Sequence, residues 1–164
     1  MLTAEALLEV HERAHRNLAS YLAHAKMLDQ EAANRSLAEF NGSSVRLELH
    51  HAIGAEKYWI GVLEGRADAE EDEHLYPTIE SLETYRKNTF AAAEAYLRGA
   101  SLDELNTARR MEIDRWRERV YRPGHVVMRT ITHLYHHQGK AAAMLRMLGR
   151  PIPRTPEDFD YPIT

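Results

Sequence analysis

The chain has 164 residues, a formal net charge of −4 and no cysteine, which excludes disulfides, thiolate ligands and cysteine nucleophiles. At this length we expect one domain over residues 1–164, and the acidic balance gives no general attraction to nucleic acid. No apolar run has the length of a signal-peptide core or a membrane span, so we expect a cytoplasmic protein that acts on neither nucleic acid nor a membrane.

Helical periodicity covers most of the chain and begins with a predicted helix from about Thr3 to Ala25. The polar stretch 29–43 interrupts this pattern, and the Asn-Gly pair within it is typical of a turn. Ser43 or Ser44 is suited to cap a second helix, because a side-chain oxygen there can accept a hydrogen bond from a free backbone N–H group. Gly65 is the expected end of that helix.

A third helix is predicted after Pro77, with Thr78 as its N-cap and its end near Gly99. Its sequence is rich in alanine, the residue with the highest helix propensity. Ser101 and Glu104 then have the spacing of a capping box, in which each side chain accepts a hydrogen bond from the other residue's backbone. We therefore expect a short helix at that point.

The charged segment 109–124 has no clear period and is compatible with irregular structure or a short extended segment, so its structure stays open. Pro123 suits the first turn of a last long helix, which Gly149 and Pro151 end. The proline-rich tail 153–164 is expected to pack along the surface. Because four long amphipathic helices remain and no convincing strand alternation is found, we predict an all-α four-helix bundle with long connections.

Two histidines of the last helix, His133 and His137, are four residues apart and share one helical face. At about 100° per residue, His137 lies inside the apolar sector of this helix, His133 lies at its edge and His136 points away. The sector is defined by Val126, Val127, Leu134, Ala141, Met144, Leu145 and Leu148. Two imidazoles so placed can bind one metal ion at about 2.1 Å, and core histidines held by hydrogen bonds are the alternative.

The second helix offers two adjacent candidates for a third imidazole, His50 and His51. His51 belongs to an apolar line, whereas His50 shares its line with Arg46 and Lys57, and this difference favours His51. The small residues Gly54 and Ala55 would leave space beside that imidazole for a metal and a ligand. The core-facing direction of this helix stays open, because a second apolar stripe runs through Val45, Leu49, Ala52, Ile53, Ile60 and Leu63. Three protein ligands would leave coordination positions free, as in a catalytic site.

The first helix contains the sequence HERAH, which fits the H-E-x-x-H pattern of zinc proteases with His11 and His15 as ligands and Glu12 as general base. The two histidines lie near an apolar stripe and can face inward. A protease is not favoured, because the chain has no strand signals for a substrate cleft and no third-ligand motif directly downstream. We expect these histidines to line the pocket or the bundle exterior.

Two longer segments, HHAIGAEKYWIGVLEG and ITHLYHHQGKAAAMLRMLGRPIP, resemble the DinB/YfiT-like superfamily of metal-binding four-helix bundles. In that family a histidine on the second long helix precedes a small-apolar, acidic and aromatic run, and the last helix carries two histidines four apart. The corresponding residues here are His51, His133 and His137. Lys140 departs from the glutamine that is usual in the family, which affects the surroundings of the ligands.

The resemblance implies a divalent metal, typically zinc or nickel, held by His51, His133 and His137 with open positions for water. It also implies a homodimer. Relatives with a known activity are often transferases or isomerases that use a low-molecular-weight thiol. An open coordination position can take a thiol as its thiolate or lower the pKa of water, and either gives a nucleophile at neutral pH.

Two function classes follow. In the first, the protein is a metal-dependent enzyme that acts on a small-molecule substrate, as a thiol-dependent transferase or as a hydrolase. In the second, the metal is structural or absent, and the bundle is a non-catalytic dimeric binding or sequestering module. Three further residues, Glu56, Tyr58 and Arg129, are candidates for supporting such a site, the arginine through an anionic substrate group; solvated or ion-paired surface positions are the more common role of a glutamate or arginine on such a helix.

Overall fold

The computed structural model describes residues 1–66, 72–114 and 117–153. Most of the described chain is helical, as predicted, and a single two-stranded antiparallel sheet is present among the described residues. The helices are α1 (Ala4–Ala25), α2 (Gln30–Asn34), α3 (Val45–Leu63), α4 (Ile79–Gly99), α5 (Leu102–Asn106) and α6 (Pro123–Met147), and the strands are β1 (Arg109–Asp114) and β2 (Arg117–Tyr121).

The helix starts lie where the capping residues predict them. Thr3, Ser44, Thr78 and Ser101 each accept a hydrogen bond from a backbone N–H group in the first turn of the helix that follows. The capping box expected at Ser101 is only half formed: the Ser101 side chain accepts a hydrogen bond from the Glu104 backbone, and this is the one bond of the box at α5. A complete capping box lies at the start of α4, between Thr78 and Ser81. The predicted boundaries of the four long helices are therefore confirmed, with local differences in how the caps are made.

The four long helices pack as a bundle in which α1 and α3 each contact α4 and α6. Consequently α1 and α3 face each other across the diagonal of the bundle. The fully buried side chains that fill its core include Leu7, Leu18, Leu22, Leu49, Ile53, Ile60, Leu82, Tyr85, Leu97, Leu134 and Met144. The predicted all-α four-helix bundle is confirmed, and its core lies along the inner faces of these helices.

Two connections contain structure that the sequence pattern did not predict. The polar stretch 29–43 includes the short helix α2, which was not predicted, whereas the turn expected at the Asn-Gly pair is present, with positive φ of 55° at Asn41 and 79° at Gly42. The segment left open between α5 and α6 is the β1–β2 hairpin. Its side chains Met111 and Ile113 are buried, and the Tyr58 hydroxyl donates a hydrogen bond to the Ile113 carbonyl, which ties the hairpin to α3.

Among the described residues, every helix is too short or too polar to cross a membrane. The last helix gives way to Gly149, whose φ of 76° is the left-handed conformation common just after a helix end. The predicted surface packing of the tail falls on residues 154–164, which lie outside the described part of the chain.

Candidate metal centre

The structure brings together the three imidazoles that the sequence singled out. His133 and His137 project from α6 and His51 from α3, and one ring nitrogen from each lies within 4.8 Å of the other two. The Nε2 atoms of His133 and His137 are 3.0 Å apart. Nitrogen ligands around one tetrahedral ion at about 2.1 Å are separated by roughly 3.4 Å, so small side-chain movements would let all three bind a single ion.

The orientation of α6 follows its apolar sector. His137 is buried, His133 is half-buried at the edge of the core, and His136 is exposed, as the 100° phase predicts. The ring centroids of His133 and His137 are 4.2 Å apart. The inward pair on this helix was therefore identified correctly from the periodicity alone.

The argument that selected His51 was wrong in one respect, because His51 is exposed and His50 is buried. The core face of α3 is the other apolar stripe, so His51 lies at the margin of the bundle, where its ring is 4.6 Å from that of His137. Gly54 does not make room for a metal, since a Cβ atom there would meet the Tyr85 hydroxyl at 3.4 Å. The glycine instead faces the Tyr85 hydroxyl on α4.

A carboxylate that the sequence analysis missed orients one of the imidazoles. Glu48 lies on α3 about one turn before His51 and is buried, and its carboxylate accepts a hydrogen bond from His137 Nδ1 and pairs with Lys140. The bond at Nδ1 leaves Nε2 of His137 for a metal, the arrangement that orients histidine ligands in metalloproteins. Lys140, the residue that departs from the family pattern, thus stabilises the carboxylate behind the cluster.

The protonation states also suit a metal. Burial, the largest effect, raises the pKa of Glu48, but the hydrogen bonds and charges of Lys140 and His137 outweigh it and lower the pKa below its ordinary value. Burial lowers the pKa of His133 to about 4, helped by the neighbouring imidazoles. Burial also lowers the pKa of His137, although Glu48 partly opposes it. His133 is therefore neutral at pH 7 and has the lone pair that a metal ligand needs.

Two hollows adjoin this part of the bundle. One, of about 640 Å³, is lined by His51, His137, Glu48 and Lys140 among others, so the cluster opens into it. The second, of about 510 Å³, is lined by Trp59, Arg129 and residues of the hairpin. The Arg129 guanidinium lies 5.0 Å from the centre of the Trp59 ring, one helical turn before His133.

The HERAH histidines do not have the role expected for them. His11 and His15 are each 1% exposed, so they lie inside the bundle and neither line the first hollow nor face its exterior. Their partner is Glu56, which the sequence analysis had considered as support for the other cluster. Glu12, the general base of a protease of this pattern, is exposed on the surface of α1, whereas the two imidazoles are buried. The geometry gives no support to a protease site.

These features define an all-α four-helix bundle with a histidine cluster that can hold a metal. The family model described as the DinB family matches residues 2–163, and the chain therefore belongs to the DinB family. No curated protein matches the chain at a significant level.

Two solved structures show the same fold. A DinB-like protein from Bacillus cereus ATCC 10987 has a TM-score of 0.69 and 18% identity, with 91% of this chain and 95% of that chain covered. A DinB family member from Shewanella denitrificans has a TM-score of 0.57 and 18% identity, with 96% and 88% covered. At these identities the likeness concerns the fold alone.

Proposed function

We propose that the protein is a metal-dependent enzyme that binds a divalent ion through His51, His133 and His137 and acts on a small molecule. The observation that carries the proposal is the convergence of three imidazoles from two helices at the edge of a cavity. A ligand set of imidazoles alone is compatible with zinc, nickel, iron or copper, and the family resemblance favours zinc or nickel.

The surroundings favour an open site over a closed structural one. Structural zinc sites have four protein ligands, whereas catalytic sites have three. Among the described residues the group around His51 contains three ligand side chains and no fourth. His51 is exposed and lines the first hollow, so the free side of the cluster faces that hollow. A small molecule that enters the hollow would therefore reach the remaining coordination positions.

The chain's own residues would prepare the site and orient the substrate. Glu48 holds the His137 ring through Nδ1, and Lys140 keeps Glu48 ionised. Arg129 and Trp59, which line the second hollow one helical turn from His133, would bind an anionic group and an apolar part of a substrate that extends there. When bound, a divalent ion would supply Lewis acidity, which lowers the pKa of a ligating water or thiol. This chemistry fits a thiol-dependent transferase or a hydrolase, and we propose the transferase first on the family resemblance.

Metal content measured by elemental mass spectrometry tests the ligand assignment. We expect His51→Ala and His137→Ala each to lose one equivalent of divalent metal relative to the wild type. His136→Ala is the matched control, because this exposed neighbour lies outside the cluster and should keep the full content. Circular dichroism would verify that all variants keep their helices.

The wild type loaded with zinc or nickel would then be assayed for transfer of low-molecular-weight thiols to electrophiles and for hydrolysis of small esters and amides. Turnover that is lost in His137→Ala and kept in His136→Ala supports the enzyme. If His51→Ala and His137→Ala both retain the wild-type metal content, the assignment is wrong. The non-catalytic dimeric module then becomes the better proposal.

A further inference from the structure

A second cluster of metal-binding side chains lies inside the bundle and is separate from the three-histidine cluster. It consists of His11 and His15 from α1 and Glu56 from α3, which are each about 1% exposed. His11 Nε2 is 2.5 Å from Glu56 Oε1, and His15 Nε2 is 2.7 Å from Glu56 Oε2. The ring of Phe90 on α4 stacks on His11 with centroids 5.1 Å apart and shields the cluster on that side.

The two clusters are built in the same way. Each takes two histidines four residues apart on one helix and a third ligand from α3. His51 and Glu56 are five residues apart on α3, which places them about 140° apart around the helix axis. One helix thus contributes a ligand to each of two sites, toward α6 on one side and across the bundle diagonal toward α1 on the other.

We propose that His11, His15 and Glu56 form a second, buried site for a divalent first-row transition metal. Two imidazole nitrogens and one carboxylate oxygen are a ligand set used by zinc and by non-haem iron, whereas calcium and magnesium prefer oxygen ligands alone. Among the described residues the ion-pair partners of Glu56 are these two imidazoles. A bound cation would therefore place a full positive charge beside this buried carboxylate.

The protonation states of Glu56 and His15 are those that a metal requires. Burial is the largest effect at Glu56 and raises its pKa, but the two imidazoles outweigh it and lower the pKa well below the ordinary value, so the carboxylate is ionised. Burial lowers the pKa of His15, so this ring is neutral at pH 7. The two contacts between imidazole and carboxylate, of 2.5 and 2.7 Å, are shorter than the roughly 3.4 Å between ligands on a tetrahedral ion, so loading needs each of these pairs to separate by less than about 1 Å.

The difference in exposure predicts different exchange rates for the two ions. The three-histidine cluster opens into a hollow through an exposed imidazole, whereas the buried cluster is reached only when α1 and α3 separate locally. An ion at the buried cluster would link two helices across the core and stabilise the folded state. Although this site has three protein ligands, its burial keeps a substrate from the remaining coordination positions, and we therefore assign the ion a role in stability.

Zinc stoichiometry of the reconstituted, full-length protein tests the second site. The wild type should hold two equivalents, and His137→Ala and Glu56→Gln should hold one each. The double variant should hold none. Glu56→Gln is nearly isosteric and keeps an oxygen that can accept a hydrogen bond, but a neutral amide is a poor metal ligand. Glu12→Gln on the exposed side of α1 is its matched control and should hold two.

Release of zinc to excess chelator gives a second readout. We expect a fast phase that is absent in His137→Ala and a phase at least tenfold slower that is absent in Glu56→Gln.

A wild type that holds at most one equivalent, with none left in His137→Ala, would overturn the proposal and leave the buried cluster as a hydrogen-bonded link. If Glu56→Gln is unstable, the single equivalent kept by His137→Ala still decides the matter. If the three-histidine cluster binds nothing, Glu56→Gln alone abolishes binding, so the two proposals fail in distinguishable ways.

Discussion

Glu56→Leu, measured on the metal-free protein, is expected to destabilise the fold substantially. The wild-type carboxylate accepts one hydrogen bond from each of two buried imidazoles. The Nδ1 atoms of His11 and His15 have no hydrogen-bond partner among the described residues. A neutral imidazole carries one proton, on Nδ1 or on Nε2. In Glu56→Leu neither nitrogen has an acceptor, so each ring keeps a buried N–H group without a hydrogen bond in either tautomer.

The magnitude follows from these two unsatisfied donors. Each buried donor without a partner costs about 1–3 kcal/mol, so the free energy of unfolding should fall by about 2–5 kcal/mol after the gain from removing a buried charge is allowed for. For a chain of this size the melting temperature would fall by roughly 5–15 °C. Glu56→Gln keeps one acceptor and should lose about 1–2 kcal/mol.

Chemical and thermal unfolding in the presence of chelator, followed by circular dichroism, would measure these changes. Glu12→Gln is the control on the exposed side of α1 and should stay within about 0.5 kcal/mol of the wild type. A Glu56→Leu variant as stable as the wild type would refute the reasoning, because it would mean that the two imidazoles find other partners or that their hydrogen bonds contribute nothing.

Two further predictions concern metal affinity and pH. Glu48→Gln should weaken zinc binding about 10–100-fold in a chelator competition titration, because it removes the charge that orients His137; an affinity within twofold of the wild type would contradict that role. The metal-free protein should lose stability as the pH falls below 6.5, the ordinary pKa of His15, His133 and His137, and more steeply below 4.5, the ordinary pKa of Glu56. Folding lowers all four pKa values, so the unfolded chain binds more protons in this range, and His15 contributes part of the loss. Denaturant titrations from pH 7 to pH 4 would show it, and a His15→Gln profile as steep as that of the wild type would argue against the assigned cause.

The helices and the inward pair on α6 were predictable because both depend on local rules. A capping serine or threonine satisfies N–H groups a few residues away, and the apolar sector of a helix follows from a fixed rotation per residue. The same rules placed His133, His137 and His136 correctly. For His11 and His15 these rules showed that both rings can face inward. The expected position of the two rings, in the pocket or on the exterior, was wrong.

Partners between distant segments were not predictable in this way. Glu48 precedes His51 by three residues, but nothing local shows that its carboxylate meets His137, which lies 89 residues further along the chain. Glu56 was taken for support of the wrong cluster because its partners on α1 become neighbours only when α1 and α3 face each other across the bundle. The hairpin was left open because Met111 and Ile113 give a burial alternation too short to distinguish a strand from an irregular segment.

The sequence by itself determined the all-α fold, the bounds of the long helices and the inward direction of His133 and His137, because helix capping and periodicity operate within one helix. The tertiary structure decided which face of α3 is the core, and so placed His51 at the exposed margin beside α6 and Glu56 in the interior beside α1. Two apolar stripes on α3 made either orientation possible, and packing against α4 and α6 selected the one that buries the larger stripe.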